Sequence, residues 1–156
     1  MLNKERLLEL FEYKDGYLYG KIGRRAGQQL GTANASKRSR LWVNSKMYYA
    51  YRLIFLMHHG YLPEYIDHVD GDQSNNKIEN LRACLLSENN YNSKISVKNT
   101  SGVKGVSFYR PTQRWRVHMQ INGKDKSFGY YEDFELAQLV AEEARAKHHG
   151  SFARNF

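Results

Sequence analysis

The side-chain pattern in the last third of the chain restricts its fold more than any other feature. Three short runs, 105–110, 115–122 and 126–130, have the alternation of strands, and Asn122-Gly123 is typical of a tight hairpin turn. Asp133 then precedes a stretch to His149 in which small or apolar side chains recur at helical spacing. They are Phe134, Ala137, Ala141, Ala144 and His148. This order predicts a three-stranded antiparallel sheet covered on one face by a helix.

The first part of the chain predicts a mixture of short helices and hairpins. An amphipathic helix is expected over 3–12 with Asn3 as its N-cap, and Asp15-Gly16 predicts a hairpin turn. The later expectations are a hairpin over 41–49, a buried helix over 50–59, strands over 65–69 and 81–85, and a helix from the N-cap Ser87 to 94. The fold class is therefore α+β.

The composition is that of a globular chain with excess positive charge. Of 156 residues, 24 are Lys or Arg and 16 are Asp or Glu, which gives a net charge of +8. This excess favours a polyanionic partner, either nucleic acid or an anionic membrane surface. The single cysteine, Cys84, excludes a disulfide framework and a Cys-rich zinc ribbon.

Neither a membrane span nor a signal peptide is expected. The longest apolar run, Leu53 to Met57, is far shorter than the roughly 20 residues of a span. Charged residues such as Lys4 and Arg6 interrupt every apolar core near the N-terminus. We therefore expect a protein in the cytoplasm of whatever cell expresses it, with nucleic acid ahead of membrane as its partner.

The positive charge is concentrated in one segment. No acidic residue lies between Asp15 and Glu64, and a phosphate backbone suits such uncompensated cations. The candidate DNA contacts of this segment are Arg24, Arg25, Lys37, Arg38, Arg40 and Arg52. A solvated face with a flexible loop is the alternative interpretation. The carboxylates Asp67, Asp70 and Asp72 gather around His68, as in a metal-dependent enzyme that acts on a polyanion.

The segment from Tyr65 to Leu81 resembles the HNH endonuclease family. The resemblance is carried by Asp67-His68, Asp70-Gly-Asp72, Asn75-Asn76, Asn80-Leu81 and the helix start Ser87-Glu-Asn89. Tyr51-Arg52-Leu53 and Gly60-Tyr-Leu-Pro63 resemble the phage and intron branch, including homing-type enzymes, although many relatives have His where this chain has Tyr51. Each feature alone is ordinary turn or strand chemistry. Their combination, with twelve residues from His68 to Asn80 and nine from Asn80 to Asn89, is typical of the family.

The resemblance implies a ββα-metal fold around one divalent cation and hydrolysis of a DNA phosphodiester. His68 would be the general base, Asp67 and Asn89 would bind the metal, and Asn80 would hold the loop in place. An amide oxygen suits Mg²⁺ or Mn²⁺ better than zinc. Asp70 and Asp72 are interpreted as turn residues and not as ligands.

The C-terminal region resembles the plant ethylene-response-factor DNA-binding domain, also called the Apetala-two domain. Ser101-Gly-Val-Lys-Gly-Val-Ser107, Arg114-Trp-Arg116, Phe128-Gly129 and the alanine-rich helix carry this resemblance. The outward face of such a sheet can enter the major groove of DNA. The candidate contacts are Tyr109, Arg110, Arg114, Arg116, His118, Gln120, Lys124 and Lys126. A solvated sheet face is the alternative interpretation.

The predicted organisation is a nuclease domain over 1–95, a linker over 96–101 and a DNA-binding domain over 102–156. The predicted function is a metal-dependent endonuclease that acts on double-stranded DNA, with no obligate protein partner evident. A non-catalytic DNA-binding regulator is the alternative, and an RNA-binding protein is a third hypothesis without a supporting motif. One active site favours a nick over a double-strand break, whereas the target sequence, oligomeric state and biological role do not follow from the sequence.

Overall fold

A computed structural model describes residues 2–33 and 38–153. Contacts divide the chain into two compact units, Met1–Cys84 and Leu85–Phe156, and each unit is considered by itself below. The predicted linker at 96–101 lies within the second unit. The division into a nuclease domain over 1–95 and a DNA-binding domain over 102–156 stays a prediction. No helix in the described ranges is long and apolar enough to cross a membrane.

The first unit begins with a capped helix and a hairpin. Helix α1 spans Lys4–Leu10, and Asn3 Oδ1 accepts a hydrogen bond from the Arg6 amide at 3.0 Å, as expected of an N-cap. Strands β1 (Phe11–Lys14) and β2 (Tyr17–Gly20) pair across the predicted Asp15-Gly16 turn, where both residues have positive φ. The short strand β3 (Gln29–Leu30) extends this antiparallel sheet.

A second sheet and a buried helix complete the core of the first unit. Its strands are β4 (Thr32–Ala33), β5 (Ser39–Val43) and β6 (Lys46–Tyr49). Helix α2 (Ala50–His59) follows directly and ends at Gly60, whose φ of 77° gives a left-handed C-cap. Five consecutive α2 residues from Leu53 to Met57 are buried, so the helix is surrounded by the rest of the unit.

The first unit ends in the hairpin that carries the predicted site. Strands β7 (Tyr65–His68) and β8 (Leu81–Cys84) pair antiparallel, with Asp67 opposite Arg82 and His68 opposite Leu81. Ile66 and Leu81 belong to the hydrophobic core formed with α1, β1, β2, β5 and α2. The hairpin is therefore held to the unit by apolar side chains while the loop of 69–80 is polar.

The second unit contains a short helix, a three-stranded sheet and a long helix. Helix α3 spans Leu86–Tyr91, and the sheet has the order β11 (Lys124–Tyr131), β10 (Arg114–Ile121), β9 (Val106–Tyr109). Helix α4 (Phe134–His149) is capped by Asp133, which accepts from the Leu136 amide at 2.7 Å. Its small residues Ala137 and Ala141 pack against the buried Val106 and Val117. The predicted sheet with a covering helix is therefore present.

One local prediction in the second unit was wrong. Helix α3 is capped at Leu85 and not at Ser87, because the Glu88 carboxylate turns back to accept from the Leu85 amide at 2.7 Å. At the end of α4, His148 is half-buried against Phe128, and the buried His149 has its Nε2 3.0 Å from the Gln120 carbonyl. Burial lowers the pKa of His149, and this effect outweighs the hydrogen bond to Gln120.

Candidate active site

The loop that connects β7 to β8 is organised around Asn80. This buried side chain accepts from the Asp70 amide at 3.0 Å and donates to Asp70 Oδ1 at 2.9 Å and to the Asn75 carbonyl at 2.8 Å. Its own carbonyl accepts from the Val69 amide at 2.9 Å. One amide side chain thus ties both ends of the loop together, just beyond His68.

Asp70 is a hydrogen-bond acceptor within the same loop. Its carboxylate accepts from Asn75 Nδ2 at 2.7 Å, from the Asp72 amide at 2.8 Å and from Asn80 Nδ2. Burial alone would raise the pKa of Asp70, but these hydrogen bonds hold it below the ordinary value of 3.8. Asp70 is therefore occupied by loop contacts, which suits the turn role that the sequence suggested.

The lowered pKa predicts an acid-sensitive loop. A carboxylate with a depressed folded-state pKa stabilises the fold above the unfolded value and loses that contribution as the pH falls through the folded value. We expect Asp70→Asn to be less stable than the wild type at neutral pH, with the difference shrinking below pH 3.8. Urea unfolding of both proteins across this range measures it. A difference that stays constant with pH would contradict the assignment.

His68 is buried at the end of β7, and contacts with Asn76 and Tyr51 orient its ring. Its Nε2 lies 3.1 Å from Asn76 Oδ1, and its ring meets the Tyr51 ring edge to face at 5.3 Å. An amide oxygen only accepts, so Nε2 carries the proton and the lone pair of the neutral imidazole is on Nδ1. The Asn75-Asn76 pair was noted in the sequence, but its spacing gave no indication that Asn76 contacts His68.

Asp67 is buried beside His68 and forms an ion pair with Arg82. Both Arg82 Nε and Nη2 contact Asp67 Oδ2, at 2.8 and 2.7 Å. Arg82 faces Asp67 across the hairpin, so the strand register places the two groups together. The pairing of Arg82 with Asp67 was not predicted from the sequence, because it depends on the register that the loop imposes.

Asn89, the other predicted metal ligand, is a half-buried residue of α3 in the second unit. Its backbone amide donates to the Leu85 carbonyl at 3.0 Å in the first turn of the helix. The predicted ligands Asp67 and Asn89 therefore belong to different units, and Asp67, His68 and Asn80 belong to the first.

Two predicted basic residues, Arg38 and Arg40, contact the first ring of a row of aromatic side chains, Tyr49 and Tyr51, that leads to His68. Arg40 lies over the Tyr49 ring at 4.9 Å and donates to its hydroxyl at 3.0 Å, while Arg38 lies 5.7 Å from the same ring. Tyr49 stacks on Tyr51 at 5.6 Å, and Tyr51 contacts His68. Arg38 also donates to Gln73 in the β7–β8 loop at 2.9 Å. Arg40 of β5 and Arg38, which precedes this strand, are thus connected to the candidate base within one unit.

The remaining basic residues of the first unit differ in their surroundings. Arg24 and Arg25 are exposed, in the segment between β2 and β3. Arg52 donates to the carbonyls of Pro63 and Glu64, at 3.0 and 3.2 Å, and so braces the segment that leads into β7. Lys37 lies outside the described residues.

The predicted DNA contacts of the second unit lie on the three-stranded sheet, except for Arg110, which follows β9, and they differ in exposure. Arg114 pairs with Glu132 at 2.8 Å and Arg116 pairs with Asp125 at 3.0 Å. The Tyr109 and Tyr130 rings lie 5.4 Å apart, and Arg116 and His118 are half-buried. The exposed members are Tyr109, Arg110, Arg114, Gln120, Lys124 and Lys126. A bulge at Phe128 shifts the β10–β11 register between Val117 and His118.

Comparison with known proteins identifies the class. A family model described as HNH endonuclease matches residues 48–91, which include α2, the β7–β8 hairpin and α3. The chain therefore contains an HNH endonuclease domain. It is also 38% identical to Protein 3.8 of Escherichia phage T7 over 90 residues, which are 58% of this chain and 74% of that protein. The chain belongs to the same family as this phage protein. No solved structure matches the chain.

Proposed function

We propose that the protein is a metal-dependent endonuclease that hydrolyses phosphodiester bonds of double-stranded DNA. The observation that carries the proposal is the buried His68, whose Nε2 is held by Asn76 so that the neutral ring has its lone pair on Nδ1. This is the arrangement that a general base requires. A cytoplasmic site of action is part of the proposal.

In the proposed reaction His68 Nδ1 takes a proton from a water molecule. The water oxygen forms a bond to phosphorus as the bond from phosphorus to the leaving oxygen breaks, and the leaving oxygen takes a proton from solvent. Asn76 keeps the ring orientation through the reaction, and its amide oxygen remains an acceptor when the imidazole becomes cationic. Asn80 acts only through the loop and does not touch the substrate.

The residues at this hairpin suit a hard divalent cation. Within the described ranges, no group of three or more His, Cys, Asp and Glu side chains could hold a metal ion. A closed zinc site is therefore a poor match, whereas Mg²⁺ or Mn²⁺ needs only one or two protein oxygens and completes its shell with water and phosphate. We assign the Asp67 carboxylate, which would exchange its ion pair with Arg82, as a protein ligand. Asn89, the second ligand that the family resemblance implies, belongs to the other unit. When bound, the cation supplies charge neutralisation at the reacting phosphate and the leaving oxygen.

DNA binding is assigned to both units. Arg24, Arg25, Arg38 and Arg40 lie in a segment without acidic residues, which suits the phosphate backbone. In the second unit, the sheet face that carries Arg114 and Arg116 is proposed to enter the major groove and to contribute to site choice. Its resemblance to the ethylene-response-factor domain supports this assignment at the level of sequence and layer order. The ion pairs with Glu132 and Asp125 would have to exchange for DNA contacts.

Cleavage of supercoiled plasmid tests the proposal. We expect conversion to open-circle DNA with Mg²⁺ or Mn²⁺ and no conversion with EDTA, because the reacting phosphate then lacks its cation. One active site in each chain favours nicks, so open circles should precede linear DNA. Binding without cleavage under every metal, on plasmid and on a library of sequences, would contradict the proposal and favour the non-catalytic regulator.

Asn76 is predicted to be a positioning residue. Asn76→Ala removes the acceptor for His68 Nε2, so we expect kcat to fall by about 10- to 100-fold with little change in KM. Asn76→Asp keeps an acceptor and adds a charge that favours the imidazolium, so its pH–rate profile should move to higher pH. Single-turnover rates at several pH values measure both effects. Equal losses in the two variants with unshifted profiles would indicate a structural role only.

A further inference from the structure

The β5–β6 hairpin places a tryptophan in solvent. Trp42 is 71% exposed, and Met47, directly opposite it on β6, is 46% exposed. Their neighbours Leu41 and Val43 point the other way into the core. Strands β5 and β6 are joined by a two-residue turn, and their pairing register places the indole on the outer face of the hairpin.

The indole has apolar neighbours but no aromatic partner among the described residues. A groove of about 240 Å³ beside it is lined by Ile22, Leu30 and the Arg25 side chain, and Ile22 is 57% exposed. Ile22, Trp42 and Met47 are called the Trp42 patch here. The core of the first unit is complete without them, so their exposure is not required by folding.

Arginines lie beside the Trp42 patch. Arg25 lines the same groove as Trp42 and Ile22, Arg24 precedes it, and no carboxylate occurs in the sequence between Asp15 and Glu64. An apolar wedge beside cations matches a ligand that offers flat apolar faces between negative charges. Stacked bases flanked by phosphates have that chemistry, whereas an apolar protein surface does not require the cations.

We propose that Trp42 inserts at a base step of bound double-stranded DNA and stacks on a nucleobase, with Arg25 at an adjacent phosphate. This inference rests on DNA binding by the first unit, as proposed above, and not on cleavage. Insertion of an apolar wedge unstacks the step and kinks the duplex, so flexible pyrimidine–purine steps should be preferred.

Tryptophan fluorescence tests the inference directly, because the chain has two tryptophans. Trp115 packs between Phe134 at 4.7 Å and Phe108 at 5.0 Å, so Trp115→Phe leaves Trp42 as the reporter. With a DNA duplex in EDTA, we expect quenched Trp42 emission and protection from acrylamide. An indole that stays equally accessible when DNA is bound overturns the inference. The Trp42→Phe variant, which keeps Trp115, shows whether the signal comes from Trp42.

Affinity measurements separate stacking from charge. Trp42→Ala should weaken binding to a fluorescein-labelled duplex by about 5- to 150-fold without changing the salt slope, and Trp42→Phe should lose less. Arg25→Ala should instead lower the salt slope by about 0.9. If Trp42→Ala binds the DNA duplex with wild-type affinity, the inference is overturned. It is overturned in the same way if the Trp42 patch binds a protein and not DNA.

The outcomes distinguish this inference from the proposed function. A wild type that binds no DNA overturns both, and a wild type that binds DNA but never cuts it overturns only the catalytic assignment. Loss of cleavage in His68→Ala with intact Trp42 protection supports both.

Discussion

Replacing His68 with alanine is expected to lower the single-turnover rate of DNA cleavage by about 10²- to 10⁴-fold, the usual contribution of a general base. DNA affinity should stay unchanged, because His68 is buried at the end of β7 and is not among the basic residues assigned to phosphate contact. Plasmid cleavage at saturating protein measures the rate, and fluorescence anisotropy in EDTA measures the affinity.

Two controls make the His68 prediction specific. His59→Ala removes an exposed imidazole at the end of α2 in the same unit and should leave the rate unchanged. His68→Gln keeps a donor for Asn76 but cannot serve as an efficient base at neutral pH. A loss of rate equal to that of His68→Ala would assign the effect to the base and not to the Asn76 contact. Near-wild-type cleavage by either His68 variant, with an unchanged melting temperature, would show that another group activates water.

Replacing Asn80 with alanine is expected to have the largest effect on stability together with a large effect on cleavage. The change leaves the Asp70 amide and the Asn75 carbonyl without their Asn80 partner, which costs about 1–3 kcal/mol. Because the loop follows His68 directly, cleavage should fall by about 10²-fold, as expected for a small misplacement of the reacting groups.

Urea unfolding and hydrogen exchange of the loop amides measure the effect of Asn80→Ala. Gln28→Ala is the matched control, since it removes an exposed carboxamide from the same unit. If Asn80→Ala keeps wild-type stability and still loses cleavage, Asn80 acts on the reaction itself and the positioning role is wrong.

The elements that the sequence predicted best are those with local causes. The Asp15-Gly16 turn, the Asn3 and Asp133 caps and the Gly60 end of α2 each depend on residues a few positions apart. The alternation in 105–130 and the helical spacing that follows Asp133 likewise predicted a three-stranded sheet with a covering helix. These features can be predicted without knowing which strands pair with each other.

The contacts that the sequence did not predict depend on pairing over longer distances. Arg82 meets Asp67 only because the 69–80 loop sets the β7–β8 register, and Asn76 reaches His68 only through the path of that loop. Trp42 was predicted as part of a strand. Its exposure depends on which face of the β5–β6 hairpin packs against the core, and that face carries Leu41 and Val43. The Phe128 bulge, which shifts the β10–β11 register, has no signature in the alternation.

Counting new DNA ends in a complete genome tests the central claim most directly, because a genome offers far more candidate target sites than a plasmid. Genomic DNA is digested with the wild type and with His68→Ala, each with Mg²⁺ and with EDTA, and the new ends are mapped by sequencing. The account predicts recurrent ends from the wild type with Mg²⁺ alone. The same ends from His68→Ala, or none above the EDTA background from the wild type, would contradict it.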